Sequence, residues 1–298
     1  MLTVLSIVLD GLVYSSWLFI VSVGLTLVYG VMRIVNVAHG SFYALGAYLM
    51  ASAAGYYFAR GLPPAGVYVL IPLAAALIGL SVGLTLERGL LRFFYGRKEI
   101  VLVLVTYAVF LILEDVIKLV WGVDPYYAAD PYRLLGTVDI GGLPYAVYDL
   151  CLIGAAGALG ALLWWGLNRA RLGRLLVAVI HDREMSVAMG VNVTPIFAAT
   201  FVLGAALGAL GGALTAPEIS VVPGVGAEVI VLAFAVVVTG GLGSIAGAGL
   251  GALIVGLARA AVIHLVPSIE LFVVYVVMAA VLALRPQGLF AAAAVRKI

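Results

Sequence analysis

Charge is what this sequence has least of. Only 10% of its 298 residues are Asp, Glu, Lys or Arg, while 65% are apolar. Soluble domains carry about 25% charged residues, so a soluble globular fold is excluded, and a mean hydropathy of +1.24 agrees. Cysteine is almost absent. The single Cys151 rules out an intramolecular disulfide and any multi-cysteine metal site; set in an apolar run, it reads as a small buried apolar side chain. A net charge of +2 is too small to point to nucleic acid. Catalytic motifs are missing too. No lysine follows a glycine, so there is no G-x-x-x-x-G-K-[ST] loop to hold ATP. There is no H-E-x-x-H, and His39, His181 and His264 are far apart in sequence. No G-x-S-x-G surrounds Ser41 or Ser244. An intramembrane enzyme would have no catalytic set and no metal ligands to work with.

What is present is apolar run after apolar run. A membrane span needs about 20 apolar residues at a rise of about 1.5 Å each. Stretches 11–32, 34–59, 62–86, 100–121, 143–167, 193–216 and 267–284 qualify. Stretch 229–258 is too long for one straight span, and Gly240, Gly241, Gly243 and Ser244 interrupt it. It reads as a short or re-entrant segment to Thr239, a glycine turn, and a second helix from Ile245 to about His264. The expectation is all-α: one transmembrane domain over 1–298, a polytopic bundle of eight or nine helices with a glycine-rich break. The first residues lack a positive n-region, and Asp10 interrupts their apolar run. That argues against a cleaved signal peptide and keeps the first span in the mature protein.

Topology follows from where the cations fall. Loops 87–99 and 168–192 are basic, and Arg285, Arg296 and Lys297 follow the last span; the positive-inside rule puts all three in the cytoplasm. Loop 122–142 sets Asp124, Asp130 and Asp139 against Arg133, and loop 217–228 carries Glu218 and Glu228. Both are expected outside, with the N-terminus outside and the C-terminus cytoplasmic. The longest charged interval runs over 169–192, with Arg169, Arg171, Arg174, His181, Asp182, Arg183 and Glu184. A short amphipathic helix turning at Gly190 is expected there, either offered to a partner or merely joining two spans.

Small residues recur at four-residue spacing: Gly79 and Gly83; Gly204, Gly208 and Gly212; Gly243, Gly247 and Gly251. Such rows let helices approach closely and predict a compact bundle. The interruptions at 35–41 and 240–244 hint at an internal repeat. Polar groups inside membranes are costly and often functional. Glu114 and Lys118 form an i, i+4 pair, read as a snorkelling couple or as part of a relay with Asp115. Arg33, Asn36, His39 and Ser41 fall where the first run hands over to the second. They mark either a tight turn at the cytoplasmic surface or a helix break lining a cavity or buried in protein.

Four stretches in order, 23–49, 181–193, 236–253 and 285–290, resemble the LivH branch of the branched-chain amino acid ABC transporter permeases across essentially the whole chain. Their sequences are VGLTLVYGVMRIVNVAHGSFYALGAYL, HDREMSVAMGVNV, VVVTGGLGSIAGAGLGAL and RPQGLF. One departure is Ala246, where the family usually has proline. The resemblance implies a multi-pass permease of the prokaryotic cytoplasmic (inner) membrane, in contact with membrane lipid. Its partners would be a LivM-like second permease, two ATPase subunits that hold the ATP and Mg²⁺, and an extracytoplasmic substrate-binding protein. This chain itself would need no cofactor. His181, Asp182, Arg183, Glu184, Met185, Ala188, Met189 and Gly190 would then form the coupling helix, with Met185, Ala188 and Met189 its apolar side. Asn36, His39 and Ser41, with Arg33 beside them, would belong to the translocation pathway. The competing expectation is a self-contained ion-coupled transporter working through Glu114 and Asp115.

Overall fold

The computed structural model describes residues 2–290; Arg296 and Lys297, expected to anchor the C-terminus, lie outside the described residues. The chain begins with α1 (Leu2–Met32) and α2 (His39–Ala59). A third helical run follows, in which α3 (Leu70–Ile78) and α4 (Leu84–Gly89) are joined by a π-helical turn at Gly79–Gly83. Next come α5 (Glu99–Trp121), the short α6 (Asp130–Leu134), and a hairpin of β1 (Thr137–Ile140) and β2 (Leu143–Ala146). Then follow α7 (Val147–Arg169), α8 (Arg171–His181), α9 (Arg183–Ala188), α10 (Val193–Thr215), α11 (Val225–Gly240), α12 (Ile245–Leu265) and α13 (Glu270–Leu284).

Among the described residues, six helices are long and apolar enough to cross a membrane: Leu2–Met32, Pro64–Phe94, Glu99–Trp121, Val147–Arg169, Val193–Thr215 and Ile245–Leu265. With α2, α11 and α13 beside them, the architecture is an all-α polytopic bundle, compatible with eight or nine crossings. The acidic loop 122–142 also holds structure. Gly141 and Gly142, at φ 63° and 89°, make the two-residue turn with both central residues left-handed that matches strand twist, and Ile140 pairs with Leu143.

The core is built around α2, which packs against α10, α11, α3 and α5. Phe42, Tyr43, Tyr48 and Phe201 are fully buried, and the Phe42 and Phe201 rings meet edge to face at 5.8 Å. Small residues set the spacing. A methyl on Gly212 would collide with the Tyr43 backbone, and one on Gly208 would meet the His39 ring at 3.0 Å. Gly204 lies against Val28 and Gly24; Gly247 and Gly251 lie against Gly240 and Val236 of α11. Gly243 is not on a helix. It sits in the turn before α12 at φ 82°, where a Cβ would be 3.1 Å from Gly30 Cα. Cys151, expected to be buried, is exposed on α7.

Candidate functional site

α1 ends at Arg33, a non-glycine residue in the left-handed region at φ 55°, its guanidinium near the Tyr29 ring. The chain does not turn tightly at the surface there. It runs back up the bundle, non-helical, through residues 33–38. Thr106 Oγ1 clasps this stretch, accepting from the Val37 N–H at 3.2 Å and lying 3.3 Å from the Val35 carbonyl. Ser41 Oγ then donates to the Phe110 carbonyl at 3.3 Å, and His39 Nε2 donates to the Val21 carbonyl at 2.8 Å. Val21 lies 11 residues before Met32, about 16 Å along the helix. α2 therefore starts well inside the bundle.

Asn36, His39 and Ser41 are each at most 1% exposed, whereas Arg33 is exposed. Of the two readings of this break, the structure shows one buried in protein. Among the described residues, both polar atoms of the Asn36 amide and His39 Nδ1 have no hydrogen-bond partner. His39 fits a slot between Gly24 and Gly208.

A second break mirrors the first. After α10, residues 216–224 re-enter instead of standing clear of the bundle: Ala216 and Val221 are fully buried, and Val221 exchanges both backbone hydrogen bonds with Tyr126. Gly224 donates its N–H to Glu114 Oε2 at 3.1 Å, and α11 begins at Val225 rather than past Glu228. The partner of the 33–38 break is thus this segment. The 240–244 turn, which the sequence suggested as the counterpart of 35–41, is a tight connection between α11 and α12. The Glu114–Lys118 pair does not form: Lys118 reaches Asp115 at 3.2 Å, leaving Glu114 to hold the second break.

One end of the bundle collects the cations. Arg33, Arg88, Arg92, Arg97, Lys98, Arg169, Arg171, Arg174 and Arg285 lie at the feet of their helices. Contacts at this end tie Gly30 to Gly243 and Gly241 to Phe290. From it projects the α8–α9 segment. α8 buries Gly173, Leu176 and Val179 against the bundle and turns its arginines outward. Asp182 then breaks the helix and caps α9, its Oδ1 accepting from the Met185 N–H at 2.9 Å. Gly190, at φ 84°, closes the segment. His181, Asp182, Glu184, Met185, Ala188, Met189 and Gly190 are all exposed; Arg183 opens α9. Met185, Val187 and Met189 show 60%, 53% and 78% of their surface. The single expected helix is two, because Asp182 takes an extended conformation between them.

The opposite end carries acids and a cavity of about 560 Å³ between α1, α7, α10, α11 and α12. Tyr14, Trp17 and Tyr43 form its aromatic wall, and Asp149, Glu218 and Glu228 supply carboxylates. Asp10 accepts from Tyr145 at 2.9 Å and pairs with His264 at 2.7 Å. Arg259 pairs with Glu270 and stacks over Tyr14. Tyr132 donates to Asp149 Oδ2 at 3.0 Å. Glu218 is itself exposed at the cavity mouth; partial burial there first, and then the Asp149 charge, raise its carboxyl to about 7. None of Arg33, Asn36, His39 or Ser41 lines this cavity. The cavity residues escaped the sequence reading, although Asp10 and Asp149, acids beside or within apolar runs, were a usable signal. Among the described residues no group of three or more His, Cys, Asp or Glu could hold a metal ion.

Comparison with known proteins adds a family. The family model described as "Branched-chain amino acid transport system / permease component" matches residues 7–282. The high-affinity branched-chain amino acid transport system permease protein BraD of Pseudomonas aeruginosa is 31% identical over 84% of this chain and 83% of its own length. LivH of Salmonella typhimurium, described in the same terms, is 26% identical over 97% and 96%. A probable branched-chain amino acid transport permease protein LivH of Methanocaldococcus jannaschii is 27% identical over 95% and 91%.

Proposed function

The chain belongs to the family of branched-chain amino acid transport permeases and is a multi-pass membrane subunit of an ABC import system, and from that premise we propose how it works. Its solutes are branched-chain or closely related amino acids, moved into the cytoplasm. The basic end faces the cytoplasm and the acidic end with its cavity faces outward, as the positive-inside rule requires. Two ATPase subunits bind and hydrolyse ATP on their own chains. A second, LivM-like permease completes the pathway, and an extracytoplasmic binding protein delivers solute to the acidic end.

One observation carries this reading: the capped α9 projects from the basic end with Met185, Val187 and Met189 uncovered. Three large apolar side chains in water, held in a rigid turn of helix, are what a groove on a partner would cover. Asp182 and Glu184 flank them as polar contacts. Motion of the ATPases would reach the buried breaks through α8, which packs on α1, α7 and α10. Asn36, His39 and Ser41 lie on those breaks and are proposed as pathway residues that the outward-open state uncovers. The two acids of the ion-coupled alternative are split, Glu114 Oε2 accepting from Gly224 inside the bundle and Asp115 pairing with Lys118 at the surface, and family membership favours the ATP-driven role.

The test uses the assembled transporter in vesicles. Asp182→Arg with Glu184→Arg is expected to abolish substrate-stimulated ATP hydrolysis and uptake together, while the permease still inserts. Unchanged uptake would remove the coupling assignment. Solute accumulation by this chain alone under an ion gradient would remove the ABC reading.

A further inference from the structure

A second cavity, of about 300 Å³, opens at the basic end between the foot of the third helical run and the start of α10. Arg88 and Arg92 line it, with Asn192 and Thr194 of the α10 N-terminus opposite. We propose that this cavity seats the phosphate headgroup of an anionic phospholipid of the cytoplasmic leaflet, with the acyl chains lying along the exposed side of α3.

The charges ask for an anion. Arg88 closes α4 and Arg92 lies in the 3-10 turn Leu91–Phe94 that follows the break at Leu90, yet both reach the same cavity wall. Among the described residues no carboxylate lies within 4.0 Å of either guanidinium. Glu87 also lines the cavity, but it is 1% exposed and its Oε1 accepts from Tyr95 OH at 2.6 Å. It is turned to the tyrosine, not to the arginines. Guanidinium groups match phosphate in a planar, two-pronged geometry that lysine cannot copy. The opening turn of α10 adds its partial positive charge.

The surroundings ask for a tail. Leu73, Leu77 and Leu80 stand exposed in a line down the third helical run, and Arg88 and Arg92 lie at its foot. Phe93 is 67% exposed beside Arg92, whose guanidinium lies 5.3 Å from its ring centroid. Aromatic and arginine side chains so placed mark the boundary between headgroups and hydrocarbon. A free phosphate would use the cavity and leave the leucine line without purpose. A two-chain anionic lipid uses both. Basic pockets between helices on the cytoplasmic side are recognised lipid-headgroup sites in membrane proteins generally. Nothing in this inference depends on which solute is carried or on α9.

The experiment is retention of lipid by the full-length permease, read by native mass spectrometry after reconstitution with phosphatidylcholine alone or mixed with phosphatidylglycerol. The wild type is expected to keep phosphatidylglycerol in preference to phosphatidylcholine. Arg88→Gln with Arg92→Gln should weaken that preference roughly 30-fold, from two charges near the membrane surface. Arg60→Gln, at the other end of the bundle, should leave it intact. Should the glutamine variant fail to fold, Arg88→Lys with Arg92→Lys keeps the charge and is expected to keep part of the preference. Equal retention of both lipids by the wild type overturns the proposal, as does a preference that survives the glutamine variant. Full displacement of phosphatidylglycerol by inorganic phosphate overturns it in favour of a free-phosphate site. Loss of bound lipid whenever the second permease joins overturns it in favour of a protein partner on the leucine line.

Discussion

Gly40 and Gly226 meet backbone to backbone where the two broken helices begin: a methyl on Gly40 would strike the Gly226 carbonyl oxygen, and one on Gly226 would lie 2.7 Å from the Gly40 carbonyl oxygen. The contact is reciprocal, and the two segments leading into it have the same order of elements. Each has a long helix, α1 or α10, then a buried non-helical return, then a helix starting inside the bundle. Gly40→Ala is expected to destabilise the permease by about 1–3 kcal/mol or more through overpacking, read as a lowered thermal midpoint in detergent. Gly55→Ala on the same helix is the control. Nothing lies within 4 Å of a Cβ there, so alanine should be neutral or gain up to about 1 kcal/mol.

Glu114 fixes the second break through one hydrogen bond. Glu114→Gln keeps an oxygen for the Gly224 N–H and is expected to behave as wild type. Glu114→Leu leaves that N–H unpaired, at a cost of about 1–3 kcal/mol. Hydrogen exchange should then speed up over residues 216–224 and leave 33–38 unchanged. Equal exchange in both variants would mean that the Tyr126–Val221 pairing, not Glu114, holds the segment.

Span by span, the bundle was legible because hydrocarbon length and helix rise fix how long an apolar run must be. Run 193–216 became α10 at Val193–Thr215, and the glycine turn placed α12 at Ile245–Leu265. Depth was not legible. Residues 34–38 are as apolar as a helix, and only contacts distant in sequence, from Thr106 to Val37, Ser41 to Phe110 and His39 to Val21, show that they climb back into the core. Loop 217–228 reads as external from its prolines and glutamates, yet Val221 is buried by a pairing with Tyr126 that no local pattern encodes. The hairpin at 137–146 could have been read: paired glycines between short apolar stretches are its signal.

Asp182 caps α9, and the contact proposed for it with the ATPase is separable from that role. Aspartate, asparagine and serine all cap helix N-termini, and alanine does not, at a cost of about 0.5–2 kcal/mol. If α9 must be rigid to transmit force, Asp182→Asn and Asp182→Ser should retain coupled ATP hydrolysis in the assembled transporter, while Asp182→Ala loses much of it. If the carboxylate charge itself is gripped by the ATPase, all three variants should fail alike. The stimulated-to-basal ATPase ratio across the three variants separates the cases.

Glu218 gives the acidic end a pH signature whose sign can be worked out. Its carboxyl sits at about 7 in the folded chain against an ordinary value of 4.5. Below pH 4.5 both states hold the proton and the folded state is favoured most. Between 4.5 and 7 the unfolded chain ionises while the folded chain does not, so this group's contribution falls as pH rises and is flat above 7. Water reaches Glu218 through the cavity mouth, so the loss is smaller than the shift alone implies. The thermal midpoint of the wild type should therefore decline relative to Glu218→Gln across that window. The subtraction cancels titration of Asp10, Glu228 and His264, which share the cavity. In an Asp149→Asn background the decline should shrink, because the neighbouring charge that adds to burial is gone. A difference that is flat from pH 5 to 7.5, or that rises with pH, would place Glu218 in a fully solvated site.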